Sequence, residues 1–146
     1  MELTEMEKNY LLDTNILFAI YTENDRLNAR AREIIGEISK NKNIKLLLHP
    51  LVLVEILSLL KYQSGIEGEK IVRKELFDPK KYLILEETIG LDTRTIKTFE
   101  KEPEIGIIDT ILIQYCLDKK IELVTLDREM ENVWKKLQKT NYTSHK

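Results

Sequence analysis

The chain has 146 residues, the length of one domain, and its 42% apolar and 33% charged residues are the composition of a folded one rather than a disordered one. A single cysteine, Cys116, excludes an internal disulfide framework and a thiolate zinc site, and two histidines, His49 and His145, are too few for a histidine-rich metal site. The net charge of −2 excludes a generic basic coat for nucleic acid, so an anionic partner has to be met by a local patch.

In chain order, a polar and acidic leader over 1–8 precedes a short apolar strand over 10–13 (YLLD). A helix follows over 14–21, and 27–40 carries a helical stripe at Leu27, Ala31, Ile34, Ile35 and Ile38. A second strand is expected over 44–48 (IKLLL). Pro50 then opens a helix to about 63, because proline is tolerated in a first turn. Gly65 breaks that helix, and another is expected over 67–77, ended by Asp78-Pro79. A third strand over 82–85 (YLIL), helices over 92–101 and 105–117, and a fourth strand over 122–125 (ELVT) come next. Asp127 caps a last helix to about 139, anchored by Val133 and Trp134, and 140–146 reads as a frayed tail. No run approaches the ~20 apolar residues of a membrane span, and the leader lacks the features of a secretory signal, so a soluble cytoplasmic protein is expected.

Short apolar strands alternating with helices imply a parallel sheet covered on both faces, with its binding crevice beyond the strand carboxyl ends. Asp13 ends the first strand, Glu55 lies just over a turn into the helix after the second, and Asp127 follows the fourth. Asp109 joins them if its helix starts at the same edge. Each has a plain structural alternative. Asp13 and Asp127 suit helix N-caps. Glu55 and Asp109 could sit on thin wet edges of otherwise apolar helices. Together the four make a different demand. Like charges about 4 Å apart repel by roughly 4 kcal/mol at an effective dielectric of 20, so a cluster needs a counter-charge. Oxygen ligands without His or Cys suit Mg2+ or Mn2+, which can activate water for phosphodiester cleavage.

The segments LLDTNILFAI, HPLVLVEIL, IGIIDTILIQYC and ELVTLDREM resemble, in this order, the PIN domain, and among its members the VapC-type toxins of toxin–antitoxin pairs. The resemblance runs from Tyr10 to about Lys136. It implies an α/β fold, a three-layer sandwich with a central parallel sheet of four to five short strands flanked by helices, and one nuclease domain over 1–146. It also implies a divalent metal, Mg2+ or Mn2+ as one or two ions, and endoribonuclease activity on single-stranded RNA. By matched position Asp13, Glu55, Asp109 and Asp127 are the acidic quartet and metal ligands. Asn15 and Thr125 match the polar auxiliaries, and as residues alone they could equally be a turn residue and a strand-end residue. Met130 stands where an aromatic is frequent in that family. The partners so implied are single-stranded RNA, a cognate antitoxin and a second copy of the chain.

Other residues have plainer readings. Cys116 sits on an apolar helical stripe and reads as inert core, and His49 as a structural or surface residue before Pro50. The basic pairs Arg30/Arg32, Arg73/Lys74, Lys80/Lys81, Lys119/Lys120 and Lys135/Lys136 read as solvated faces. Setting the quartet aside leaves 21 of the 25 acids against 23 bases, which removes an objection to RNA. The helix over 51–60 is apolar on more faces than one buried side needs, which points to self-association. The rivals are an RNA-processing nuclease outside any toxin pair, a PIN-like module that binds without cutting, and a phospho-receiver domain. The last wants adjacent acids after the first strand, where Thr14-Asn15 stand. Asn15 likewise removes the D-x-D of metal phosphatases.

Overall fold

The computed structural model describes residues 7–86, 89 and 91–144. Positions 1–6 of the expected leader, and positions 145–146 of the expected tail, lie outside them. Among the described residues the order is β1 (Lys8–Leu12), α1 (Thr14–Tyr21), α2 (Asn28–Ile38), β2 (Ile44–Leu48), α3 (Pro50–Leu76), β3 (Leu83–Ile84), α4 (Thr93–Lys101), α5 (Ile107–Lys119), β4 (Glu122–Val124) and α6 (Arg128–Ser144).

The strands form one parallel sheet in the order β3-β2-β1-β4, with Tyr10 opposite both Leu46 and Glu122. The chain steps outward from β1 to β2 to β3, then crosses to the far side of β1 to lay down β4. Parallel crossovers are right-handed, so the connections made before and after this reversal cover opposite faces of the sheet. The packing agrees: α1 rests on α2 and α3, whereas α5 rests on α4, α6 and β4. The result is the expected three-layer α/β sandwich, with four strands among the described residues. The reversal between β1 and β4 is a topological switch point, where two connections diverge and leave a crevice beyond the strand carboxyl ends.

The core follows the apolar pattern. Leu11, Leu12, Leu47, Leu48, Leu123 and Val124 are buried in the central strands, which helices cover on both faces. Ile16, Leu17, Val52, Ile56, Leu112, Ile113, Met130 and Trp134 close in from the helices. Cys116 is buried there as a free thiol, and burial raises its pKa well above the ordinary range, as inert core requires.

Several boundaries differ from expectation. Strand β1 starts at Lys8, because pairing with Ile44 recruits the polar residues before the apolar run. Gly65 breaks α3 as expected, at φ 72° and ψ 178°, so the span 50–76 is two helices meeting at a kink with no loop between them. Helix α6 runs past Lys139 to Ser144. His49 is structural: it is buried, its Nδ1 accepts the Leu51 N–H at 3.1 Å as the N-cap of α3, and its ring meets Tyr115 edge-on with centroids 5.9 Å apart. Trp134 and Val133 anchor α6 as expected.

Candidate active site

Four backbone segments reach the crevice. The N–H of Asp13 donates to the carbonyl of Val124 at 2.9 Å, which extends the β1–β4 pairing one residue and fixes Asp13 at the strand edge. Asp13 is also the N-cap of α1, its Oδ1 accepting the Thr14 N–H at 2.8 Å. Asp127 accepts the Met130 N–H through Oδ1 at 3.2 Å at the start of α6. Both are therefore caps, as the plain structural alternative has it. Capping engages only one carboxylate oxygen of each.

The second oxygen of Asp13 accepts the Thr125 hydroxyl at 2.8 Å. Thr125 Oγ1 in turn accepts the Asn15 Nδ2–H and the Asp127 N–H, each at 3.1 Å. Asn15 Oδ1 accepts the Leu126 N–H at 3.0 Å. Asn15 and Thr125 thus clip the loop after β4 to the start of α1 and set the Asp13 carboxylate and the Asp127 backbone together. They are more than a turn residue and a strand-end residue.

Glu55 lies in the second turn of α3 and is half-buried. Its Oε1 accepts a short hydrogen bond from the Thr14 hydroxyl. Glu55 therefore faces the crevice instead of a wet edge of α3. Thr14 was not among the expected site residues. Its position between Asp13 and Asn15 was the available signal, but nothing in the sequence said that its hydroxyl would meet a helix 41 residues away. Asp109 sits in the first turn of α5. It belongs to the same cluster, since its charge acts on Asp13 and is itself acted on by Glu55 and Asp127.

The electrostatics follow from this crowding. Asp13 is 6% exposed, and its pKa is pushed up to about 6. Burial is the main cause, the Thr125 and Thr14 hydrogen bonds oppose it, and the charges of Asp109 and Glu55 add to it. Asp109 is raised as well, first by burial and then by Asp127 and Glu55, against a hydrogen bond from Gly106. No cationic side chain is among the influences on either group.

The donor set is all oxygen, partly desolvated and short of positive charge, which fits a hard divalent cation and not zinc. As they stand, no three of the His, Cys, Asp and Glu side chains among the described residues converge on one ion-sized position. Each carboxylate is turned toward its own hydroxyl or amide partner.

Comparison with known proteins agrees with the fold. The PIN domain family model matches residues 10–136. Among solved structures, the chain is similar to VapC20 of Mycobacterium tuberculosis, described as a sarcin–ricin loop cleaving toxin, with a TM-score of 0.68 at 15% identity over 84% of this chain and 93% of that one. It is similar to PAE2754 of Pyrobaculum aerophilum, with a TM-score of 0.57 at 18% identity over 88% and 86% of the two chains. It is also similar to VapBC2 of Rickettsia felis, solved bound to a DNA fragment from its promoter, with a TM-score of 0.56 at 14% identity over 86% and 92%. At these identities the likeness is one of fold. A sequence search of curated proteins found no match. The family model covers the expected motifs from the first strand to the last helix, and the chain belongs to the PIN domain family.

Proposed function

We propose that this protein is a metal-dependent endoribonuclease that cleaves single-stranded RNA, acting as the toxin of a toxin–antitoxin pair. The observation that carries the reading is that Asp13, held by Thr125, and Glu55, held by Thr14, face the β1–β4 switch point where Asp127 caps the next helix, with Asp109 near enough for its charge to act on Asp13. A cluster so disfavoured is hard to account for as scaffolding, since apolar residues would fill the same space at lower cost. The VapC and VapBC neighbours support the toxin part and a cognate antitoxin partner.

Asp13, Asp109 and Asp127 would hold Mg2+ or Mn2+, as one or two ions, with Glu55 as a further ligand or as the carboxylate that orients water. Such an ion, when bound, lowers the pKa of water and offsets charge on the departing oxygen. The chain's own residues do the rest. Thr14 fixes the direction of Glu55, Thr125 fixes Asp13, and Asn15 holds the two loops in register. No side chain in the cluster is a covalent nucleophile. His49 is buried as a helix cap, and the described residues offer no second histidine to pair with it for a 2′-hydroxyl route. The products should therefore carry a 5′-phosphate and a free 3′-hydroxyl.

The test is cleavage of a single-stranded oligoribonucleotide by wild type and Asp109→Asn with Mn2+ present. Loss of at least about 100-fold in rate is expected, at the scale of removing a group that stabilises developing charge. Thermal stability in EDTA should equal or exceed that of wild type, because a carboxylate whose pKa burial raises is removed. Wild-type rates in the variant, or 2′,3′-cyclic phosphate ends, would overturn the mechanism.

A further inference from the structure

We propose that the groove beside β4 holds a nucleotide next to the scissile phosphate of the RNA strand, a reading that rests on the nuclease function above. The groove encloses about 420 Å3 and is lined by the unbroken run of positions 122–126, by α2 and by the start of α6. Strand β4 is the last of the sheet and pairs with β1 alone among the described strands. In a parallel strand the main-chain groups of successive residues point alternately to the two sides. The Val124 carbonyl faces β1, where it accepts from Asp13. The alternation therefore turns the N–H and C=O of Leu123 and Thr125 outward, along the open edge. Unpaired edge groups of this kind can bond the exposed edge of an unstacked base, which is how sequence in single-stranded RNA is read.

The side chains suit the same ligand. Leu27, Ile34 and Leu126 give the groove an apolar wall for a base face. Arg30 and Arg128 also line it, and both are exposed. Arg128 follows Asp127 directly in the chain, and its guanidinium has no ion pair among the described residues. Arg30 is paired with Glu33 at 3.0 Å, but both side chains are well exposed, so that pair is weak and a phosphate can displace it.

Two acids border the groove as well. Glu131 is paired with Lys135 at 3.3 Å, and Glu122 stands at the start of β4, the strand end remote from the carboxylates. Arg128, next to Asp127 in the chain, places a cation at the end nearest the cluster. Thr125 joins the two sites: its hydroxyl holds Asp13 while the residue lines the groove. A nucleotide seated here has its own phosphate beside the acidic cluster. An extended peptide could pair with the same edge, but it offers no base face for the apolar wall and engages the two guanidiniums only where it carries acidic side chains.

The experiment uses the full chain carrying Asp109→Asn, so that binding is read without cutting, and a fluorescent single-stranded oligoribonucleotide in Mg2+. Adding Arg30→Ala and Arg128→Ala should weaken binding about 10-fold or more and flatten the dependence of log affinity on log salt by about 1 to 2. Arg128→Lys should restore part of the salt slope. An abasic sugar at one position beside the cleavage site should cost about 5-fold or more. Unchanged affinity and slope in the double-arginine variant would overturn the proposal, as would equal affinity at every abasic position. Arginine variants that bind RNA normally but lose an extended partner peptide would overturn it in favour of strand addition. Wild type that binds RNA through these arginines without ever cutting it would leave the subsite standing and sink the nuclease reading instead.

Discussion

The Asp13 carboxylate accepts two hydrogen bonds, from Thr14 and Thr125, and still prefers a proton at higher pH than a free aspartate, from 3.8 up to about 6. A folded-state pKa raised above the unfolded one means stability that is present below about pH 3.8 and lost as the pH rises through about 6. Asp13→Asn removes that loss. In EDTA the variant should therefore be more stable than wild type by about 3 kcal/mol above pH 7, and the gap should close toward pH 4. Urea unfolding at both pH values measures it, and a gap independent of pH would show that Asp13 is not under charge stress. Cleavage should be lost in the same variant, so stability and activity are expected to move in opposite directions at Asp13.

At the scale of elements, the kink in α3 shows how one residue shapes a helix. Gly65 sits at φ 72° and ψ 178°, a region that residues with a Cβ scarcely visit, although a Cβ built there would meet nothing within 4 Å. Gly65→Ala should cost about 1–3 kcal/mol through backbone strain alone. A urea midpoint equal to wild type would mean that the helix straightens without penalty. Lys120, the C-cap of α5 at φ 58° and ψ 49°, is the opposite case: a side chain placed where glycine is usual, to turn the chain sharply into β4.

The whole molecule carries two further expectations. If the crevice binds Mn2+, the folded state gains free energy by mass action, about 2.7 kcal/mol at 100 times the dissociation constant. A thermal scan in Mn2+ against EDTA should show a rise for wild type and a much smaller one for an Asp13/Asp109 double asparagine variant, and equal shifts would argue against a specific site. The second concerns α3, whose first half leaves Val54 at 68%, Leu59 at 40% and Tyr62 at 89% exposure. An apolar face of this kind marks an interface, and we expect a homodimer through it. Sedimentation that gives a mass near 17.2 kDa at every micromolar concentration would reject that. Among the described residues no helix is long and apolar enough to cross a membrane.

Much of this was legible in the residues themselves. Four apolar runs at Leu11, Leu47, Leu83 and Leu123, each followed by helical periodicity, dictate a parallel α/β sheet, because strands buried on both faces must be continuously apolar. Asp13 and Asp127 could be placed at strand ends, since a cap position depends only on neighbours in the chain. The strand order could not be read, and the site depends on it. Only the return of β4 to the free side of β1 brings Asp127 and Thr125 beside Asp13, and only then do Asp109 and Glu55 act on it from two other helices. The Thr14–Glu55 bond, the clip from Asn15 to Leu126 and the open β4 groove span 41 or more positions or arise at an edge left unpaired. Local sequence sets which residues are available for such contacts. Their partners are chosen by the packing of distant elements, which minimises apolar exposure over the whole chain at once.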